Sequence, residues 1–327
     1  MSAREELRIM THVARMYYSE GVRQPEIAAQ LDLSQAKVSR LLKKAQQQGI
    51  VRITVHAAPG TYPELEQRLQ EVYGLKLALV VETDPDDERS LMADLGAAAA
   101  YYLQTTLRSG DVIGISPWSA SLLATVEAME PVSSLKDVTI VQAVGGVGDP
   151  AAAAHASRLA GQLAQLVGGQ AVYLPAPGLA GSAESARVLR EDPFVAAALT
   201  HMDQITVGLV GIGEVNPSST LARSGNAYSA EELASLEKLG AVGDVCLHFF
   251  DAEGRAVPSE LDGRVVGISA RQLRSVRRTV AVAGGLRKHE AIRGAVRGGL
   301  VHTLVTDRAT AEALLSQSPA AAGRLSP

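Results

Sequence analysis

Hydrophobic and polar positions along this chain follow two regimes. In the first 56 residues apolar positions recur every three or four residues, the period of a helix with one buried face. Leu7, Met10, Val13, Ala14 and Tyr17 do so across 4–20, and Gly21 stops the run. Ile27, Ala28 and Leu31 repeat the pattern and end at Asp32-Leu33. Ser34 then opens another helix, because its hydroxyl oxygen can accept from the unpaired amides of a first turn. On that helix Val38, Leu41, Leu42 and Ala45 fall on one face at i, i+3, i+4 and i+7. After Gly49 the residues Ile50–His56 alternate apolar and polar, which predicts a half-buried strand.

The face opposite Val38 and Leu42 carries Ala36, Arg40, Lys43 and Gln47, flanked by Lys37, Ser39 and Lys44. Two short helices joined by a tight turn, the second apolar on one side and basic or amide-bearing on the other, have the form of a helix-turn-helix. The strand that follows would be its wing. A solvated amphipathic helix is the simpler reading of any one such helix, but here the turn, the cap and both faces agree with docking into a major groove. Gln35, Lys37, Ser39 and Arg40 are placed near bases, since Arg can bond guanine edges and Gln adenine edges. Lys43 and Lys44 are placed on phosphates. Gln24 and Ala36 complete the candidate DNA-contacting set.

From Pro63 onward the period changes. Short apolar runs alternate with helical stretches. Strands are expected at Leu77–Val81, Val112–Ile115, Val138–Ala143, Ala171–Leu174, Gln204–Val210, Val245–Phe250, Thr279–Val282 and Val301–Val305. Helices are expected at Pro63–Tyr73, Asp87–Leu107, Pro117–Met129 and Ala151–Val167, with others between the later strands. This predicts an α/β fold, with a mainly parallel sheet covered on both faces. Phe250–Gly254 reads as a hairpin turn and adds one antiparallel excursion. The expected division is a winged helix-turn-helix domain at 1–56, a linker at 57–62, a larger Rossmann-like domain at 63–316 and a flexible tail at 317–327.

Charge separates the same two parts. Residues 1–56 hold nine Lys/Arg against five Asp/Glu, whereas the remainder holds 22 against 30. A basic head on an acidic body suits a DNA-binding head and a body that stays off DNA. The single cysteine, Cys246, excludes an internal disulfide framework and a cysteine-rich metal site, and its apolar surroundings mark it as a small core residue. The histidines show no metal-ligand spacing, and no motif demands a cofactor or names a catalytic residue. No run of about 18 apolar residues is present and no signal core opens the chain, so no membrane partner is expected and a cytoplasmic location is.

Candidate ligand chemistry gathers in loops that follow strands, where open parallel sheets bind ligands. Gly114–Ser121 brings Ser116, Trp118, Ser119, Ala120 and Ser121 to a helix start, where unpaired amides hold anions. Those serines can equally serve only as caps. Ala143–Asp149 is glycine-rich around Gly145, a weak signal alone. Val282–Glu290 places Gly284 and Gly285 before Lys288 in a first helical turn, where a lysine opposes the helix dipole unless an anion accompanies it. Asp244 could accept from sugar hydroxyls or cap a turn. His155, at the start of a helix, reads first as a packing residue.

With both halves read, the chain resembles the SorC family of sugar-binding transcriptional regulators. The likeness runs from about Glu6 to about Leu315. It rests on QPEIAAQLDLSQAKVSRLLKKAQQQGIVRITV in the head, and on DVIGISPWSASLLATVEAM, TIVQAVGGVGD, HASRLAGQLAQLVGG, VGLVGIGE, VCLHFFDAEG and VAVAGGLRKHEAIRGAVRGG in the body, in that order. The resemblance implies a body like the sugar-phosphate isomerase and deaminase fold, binding a sugar, sugar phosphate or polyol that alters operator binding. It implies double-stranded operator DNA as a partner and assembly as a homodimer or homotetramer. By motif position it implies that Trp118–Ser121 and Gly284-Gly285 with Lys288 hold a phosphate and that Asp244 contacts sugar hydroxyls. Gln142, Gly145 and His155 would line the same site. Pro117–Ala120 and Val144 depart from the family pattern, which leaves the phosphate open. An enzyme of the isomerase or deaminase type, using Asp244 and His155, is the rival reading.

Overall fold

A computed structural model describes residues 3–51, 60–84, 87–217, 221–222, 224–226 and 228–316, with backbone alone at 3 and 150–155. The chain divides into two compact units, 1–58 and 59–327.

The head consists of α1 (Ala3–Tyr18), α2 (Gln24–Gln30) and α3 (Gln35–Gln47). Pro25 in the first turn of α2 has no amide to leave unpaired. Between α2 and α3, Asp32 takes φ 52°, a left-handed conformation that Asp tolerates. The Leu33 amide donates to Ala28 O (2.9 Å) and closes that turn. Ser34 caps α3 by accepting from the Lys37 amide (3.2 Å). The predicted apolar faces meet in one core except at Leu7 and Tyr17, which are exposed: Met10, Val13 and Ala14 of α1 pack with Ile27 and Ala28 of α2 and with Val38, Leu41, Leu42 and Ala45 of α3. The expected wing lies, from Arg52 onward, outside the described residues, as do Ala57–Pro59 of the linker and the tail at 317–327.

The body runs α4 (Pro63–Tyr73), β1 (Leu77–Val81), α5 (Glu88–Thr106), β2 (Val112–Ile115), α6 (Ala120–Ala128), β3 (Thr139–Gln142), α7 (Pro150–Leu166) and β4 (Gln170–Val172). It continues with α8 (Ala183–Glu191), α9 (Pro193–Leu199), β5 (Val207–Val210), β6 (Gly213–Glu214), α10 (Ala230–Lys238), β7 (Gly243–Val245) and β8 (His248–Phe250). It ends with α11 (Ala270–Ser275), β9 (Arg278–Val282), α12 (His289–Arg297), β10 (Thr303–Asp307) and α13 (Arg308–Ser316).

Seven strands form one sheet in the order β1-β10-β9-β5-β2-β3-β4, and every pair is parallel. Its strands read as continuous apolar runs because both faces are covered: one apolar cluster includes Val80, Val141, Val210, Ala281 and Leu304, and the other includes Ile113, Ile115, Leu209, Val280 and Val305. Helices α5 and α6 approach closely at Gly96, where a Cβ would stand 2.7 Å from the Ala124 backbone. A second sheet, β6-β7-β8, is antiparallel.

The sequence expectation of one strand across Val245–Phe250 is corrected here. The chain reverses inside that run, with Val245 paired to His248 and Cys246-Leu247 making the turn. Nothing in the run has the composition of a turn, and each of those two residues sits at positive φ (54° and 66°). Such a conformation costs roughly 1 kcal/mol or more for a side chain with a Cβ. The turn expected at Phe250–Gly254 is also formed, with Phe250 bridged antiparallel to Ala256.

Candidate functional site

Strand order fixes where the body can hold a ligand. From β2 the chain proceeds to β3 and β4 on one side, then returns to place β5 on the other side of β2. The crevice at the carboxyl ends of β2 and β5 is therefore a topological switch point. A cavity of about 650 Å³ opens there. The loop after β2 supplies Ser116, Trp118, Ser119, Ala120 and Ser121. The loop after β5 supplies Gly211 and Ile212, and the β7–β8 hairpin supplies Asp244, Cys246 and Leu247. The loop after β9 supplies Gly284, Gly285, Arg287 and Lys288, and the start of α5 adds Glu88, Leu91 and Met92.

Ser119 and Ser121 are not free hydroxyls waiting for a ligand. Ser119 caps α6 by accepting from the Leu122 amide (3.4 Å) and lies 3.0 Å from the Ser121 hydroxyl. Ser121 donates to Val282 O (2.6 Å), which ties the β2 loop to β9. The first amides of α6 remain aimed along the helix start, where the dipole favours negative charge. Trp118 is buried against the cavity wall and donates its indole N–H to Gly145 O (3.3 Å).

Asp244 and Lys288 carry the charge chemistry. Asp244 stands opposite Gly213 in the β6–β7 pair, and a Cβ on Gly213 would collide with its Oδ1. Its Oδ2 accepts from the Leu247 amide (2.9 Å). Burial pushes its pKa up to about 6, against the opposing pull of that amide and of Lys288. Lys288 is half-buried and donates Nζ to Ile212 O (2.9 Å). Burial holds its pKa below the usual lysine value, while Glu214 and Asp244 work the other way. Arg287 is exposed and stands 3.9 Å from Glu214.

Asp307, at the end of β10, was not singled out from the sequence. Its Oδ2 accepts from the Gly285 amide (2.8 Å) and the Thr310 hydroxyl (2.6 Å), and its Oδ1 from the Thr310 amide (2.9 Å). Gly284 must lack a Cβ because that carboxylate fills the space. The paired glycines therefore bend onto Asp307 and deliver Lys288. An aspartate three residues before a threonine at a strand–helix junction, Asp307-Arg308-Ala309-Thr310, is the capping signal that could have found it. Glu88 and Glu214 carried no such local signal.

Two expected site residues, Gln142 and Gly145, do not join the lining. Gln142 is buried between β3 and β4, where its Oε1 accepts from the Leu174 amide (3.2 Å). Gly145 lies behind Trp118 and donates its amide to Val266 O (2.9 Å). Val144 takes the place at the cavity wall. His155 is on α7, and its side chain lies outside the described residues.

In the head, Gln35, Ala36, Ser39, Arg40 and Lys43 are exposed, while Lys37 and Gln24 are half-covered. Arg40 rests its Nε on Ala36 O (3.3 Å). Lys44, expected on a phosphate, instead pairs with Glu6 of α1 (2.7 Å) and holds that carboxyl below its usual pKa. Among the described residues no group of three His, Cys, Asp or Glu is placed to hold a metal, and no helix is long and apolar enough to cross a membrane.

The sequence from 60 to 316 matches the model of the sugar-binding domain family Sugar-bind. The deoxyribonucleoside regulator of Bacillus subtilis is 33% identical over 313 residues, spanning 96% of this chain and 99% of that protein. The chain belongs to the SorC family of sugar-binding transcriptional regulators. The erythritol catabolism regulatory protein EryD of Brucella abortus is 32% identical, across 93% of this chain and 95% of that one. The crystal structure of the full-length sorbitol operon regulator SorC from Klebsiella pneumoniae superposes with a TM-score of 0.70 at 27% identity, covering 95% of this chain and 99% of that one. The match to a full-length SorC structure bears out the α/β reading, and family membership bears out the regulator reading. The SorC-type sugar-binding segment contains every element that lines the 650 Å³ cavity.

Proposed function

We propose that this SorC-family regulator binds a sugar, sugar phosphate or polyol in the cavity at the β2–β5 switch point, and that occupancy changes operator binding by α3 without turnover of the effector. The observation that carries this is the pairing of Asp244 and Lys288 at one cavity. Asp244 Oδ1 can accept from a sugar hydroxyl while Oδ2 stays on the Leu247 amide. Lys288 and the first amides of α6 can hold an anionic or strongly polar group of the same ligand. Relatives named as regulators for deoxyribonucleosides, erythritol and sorbitol support a polyhydroxylated effector. Two copies would read a two-fold operator, since an isologous dimer repeats one helix on both half-sites.

Trp118, the single tryptophan, lies in the cavity wall and reports occupancy directly. Titration with paired panels of free sugars, polyols and their phosphates gives a saturable fluorescence change with one of them. Lys288→Ala weakens a phosphate by about 2 kcal/mol, roughly thirtyfold, through loss of a charged hydrogen bond. A saturating phosphate whose affinity ignores Lys288 contradicts the assignment of the anionic end. Turnover of any panel member contradicts a purely regulatory role.

A further inference from the structure

The β7–β8 hairpin turns in two residues, and both lie at positive φ. That backbone is the one a type I′ turn needs, and Asn-Gly makes it without strain. Here the residues are Cys246 and Leu247. The other described non-glycine residues at positive φ are Asp32 and Asp137, a residue type that tolerates the region. A strained backbone at a ligand site persists where its surroundings over-determine it. The Leu247 amide is held by Asp244 Oδ2 (2.9 Å). Both residues are buried, at 5% and 4% exposure, and both line the cavity.

The strain thus keeps two apolar residues at the cavity directly beside its buried carboxylate. Trp118, Val144 and Leu221 extend the apolar lining. We infer that Cys246 and Leu247 determine effector specificity: they set an apolar wall beside Asp244, so the cavity favours a sugar lacking a hydroxyl on the carbon next to the one whose hydroxyl Asp244 accepts. This rests on the reading of the cavity as a sugar site. A hydroxyl pressed on that wall gives up water and gains no comparable partner, because a thiol is a weak donor and acceptor and an isobutyl group is neither. A deoxy carbon in the same place loses nothing.

The test uses the full chain and Trp118 fluorescence. The probes are matched pairs: 2-deoxy-D-ribose 5-phosphate with D-ribose 5-phosphate, 2-deoxy-D-glucose 6-phosphate with D-glucose 6-phosphate, and the corresponding free sugars. At least one deoxy member binds about tenfold or more tightly than its hydroxylated partner. Leu247→Asn suits positive φ and offers an amide to the hydroxyl, and it brings that ratio to about one. Cys246→Ser keeps the volume and moves the ratio the same way by less. A core-only role for the two residues would weaken both members of a pair in parallel and leave the ratio unmoved. Sugar binding with no deoxy preference in any pair overturns this inference alone. So does an unchanged ratio in variants that melt like the wild type. If Leu247→Asn fails to fold, the wild-type ratio and Cys246→Ser decide. Silence from folded protein across every probe overturns the sugar-site reading and this inference together.

Discussion

In the head, thirteen consecutive residues, Gln35–Gln47, carry both the packing face and the candidate DNA face. In the body, the cavity draws on residues from Glu88 to Lys288, and only the strand order of the sheet brings them together. A contiguous surface depends on one helix being present and presented. A distributed site depends on the register of several strands and on side chains such as Ser121 and Asp307 that tie one loop to the next. The two surfaces are therefore expected to fail independently, and the ways of breaking them differ.

The largest effect is expected from Val38→Asp. Val38 is fully buried in a head core of ten buried residues, and an unpaired carboxylate there costs several kcal/mol. Operator binding, followed by fluorescence anisotropy, is lost, while the Trp118 response to sugar in the same preparation is kept. Loss of both responses would show that the two units do not fold separately.

Next comes the pH dependence of the body. Burial raises the Asp244 pKa from 3.8 to about 6, so the folded state keeps a proton that the unfolded chain has released. Its contribution to stability is present in full below about 3.8 and is lost as pH rises through about 6. Denaturant unfolding of wild type and Asp244→Asn therefore diverges: wild-type stability relative to the variant falls by on the order of 3 kcal/mol from pH 4 to pH 7. A difference that stays constant with pH would mean that Asp244 is not buried as an acid.

Arg40→Ala sharpens the head side. Exposed on α3, Arg40 is expected to contribute about 1–3 kcal/mol to specific binding. Equal loss on operator and on random DNA, in anisotropy titrations, would assign it to phosphate alone. The smallest effect belongs to Lys44→Ala. Because Lys44 is paired with Glu6 across α1 and α3 in a solvent-exposed ion pair, its removal changes head stability only slightly. It lowers the salt dependence of DNA binding less than Lys43→Ala does. Equal slopes for the two variants would return Lys44 to the phosphate contacts.

The same contrast explains what could be read without coordinates. The head was legible almost residue by residue, because Ser34, Val38, Leu41, Leu42 and Ala45 act within one helix and its nearest neighbour. The parallel sheet was legible because strands buried on both faces leave unbroken apolar runs, as in Val207–Val210. The cavity loops were legible where a strand end meets serines or paired glycines, as at Ser116–Ser121 and Gly284-Gly285. Illegible was whatever depends on a partner far along the chain. Gln142 looks available in sequence, but its Oε1 is taken by the Leu174 amide. Lys44 looks like a phosphate ligand and answers Glu6, thirty-eight residues away. The Cys246-Leu247 turn hid because its residues have no turn propensity and are held there by Asp244 and by burial.

Regulation by an effector requires coupling between the two surfaces. The decisive measurement is operator affinity by anisotropy, without and with the sugar that saturates Trp118, paired with the affinity of that sugar for free and operator-bound protein. Coupling of this kind means that the sugar changes operator affinity, and that operator changes sugar affinity by the same factor, since linkage between two sites is reciprocal. A sugar that saturates Trp118 while operator affinity stays where it was would contradict it.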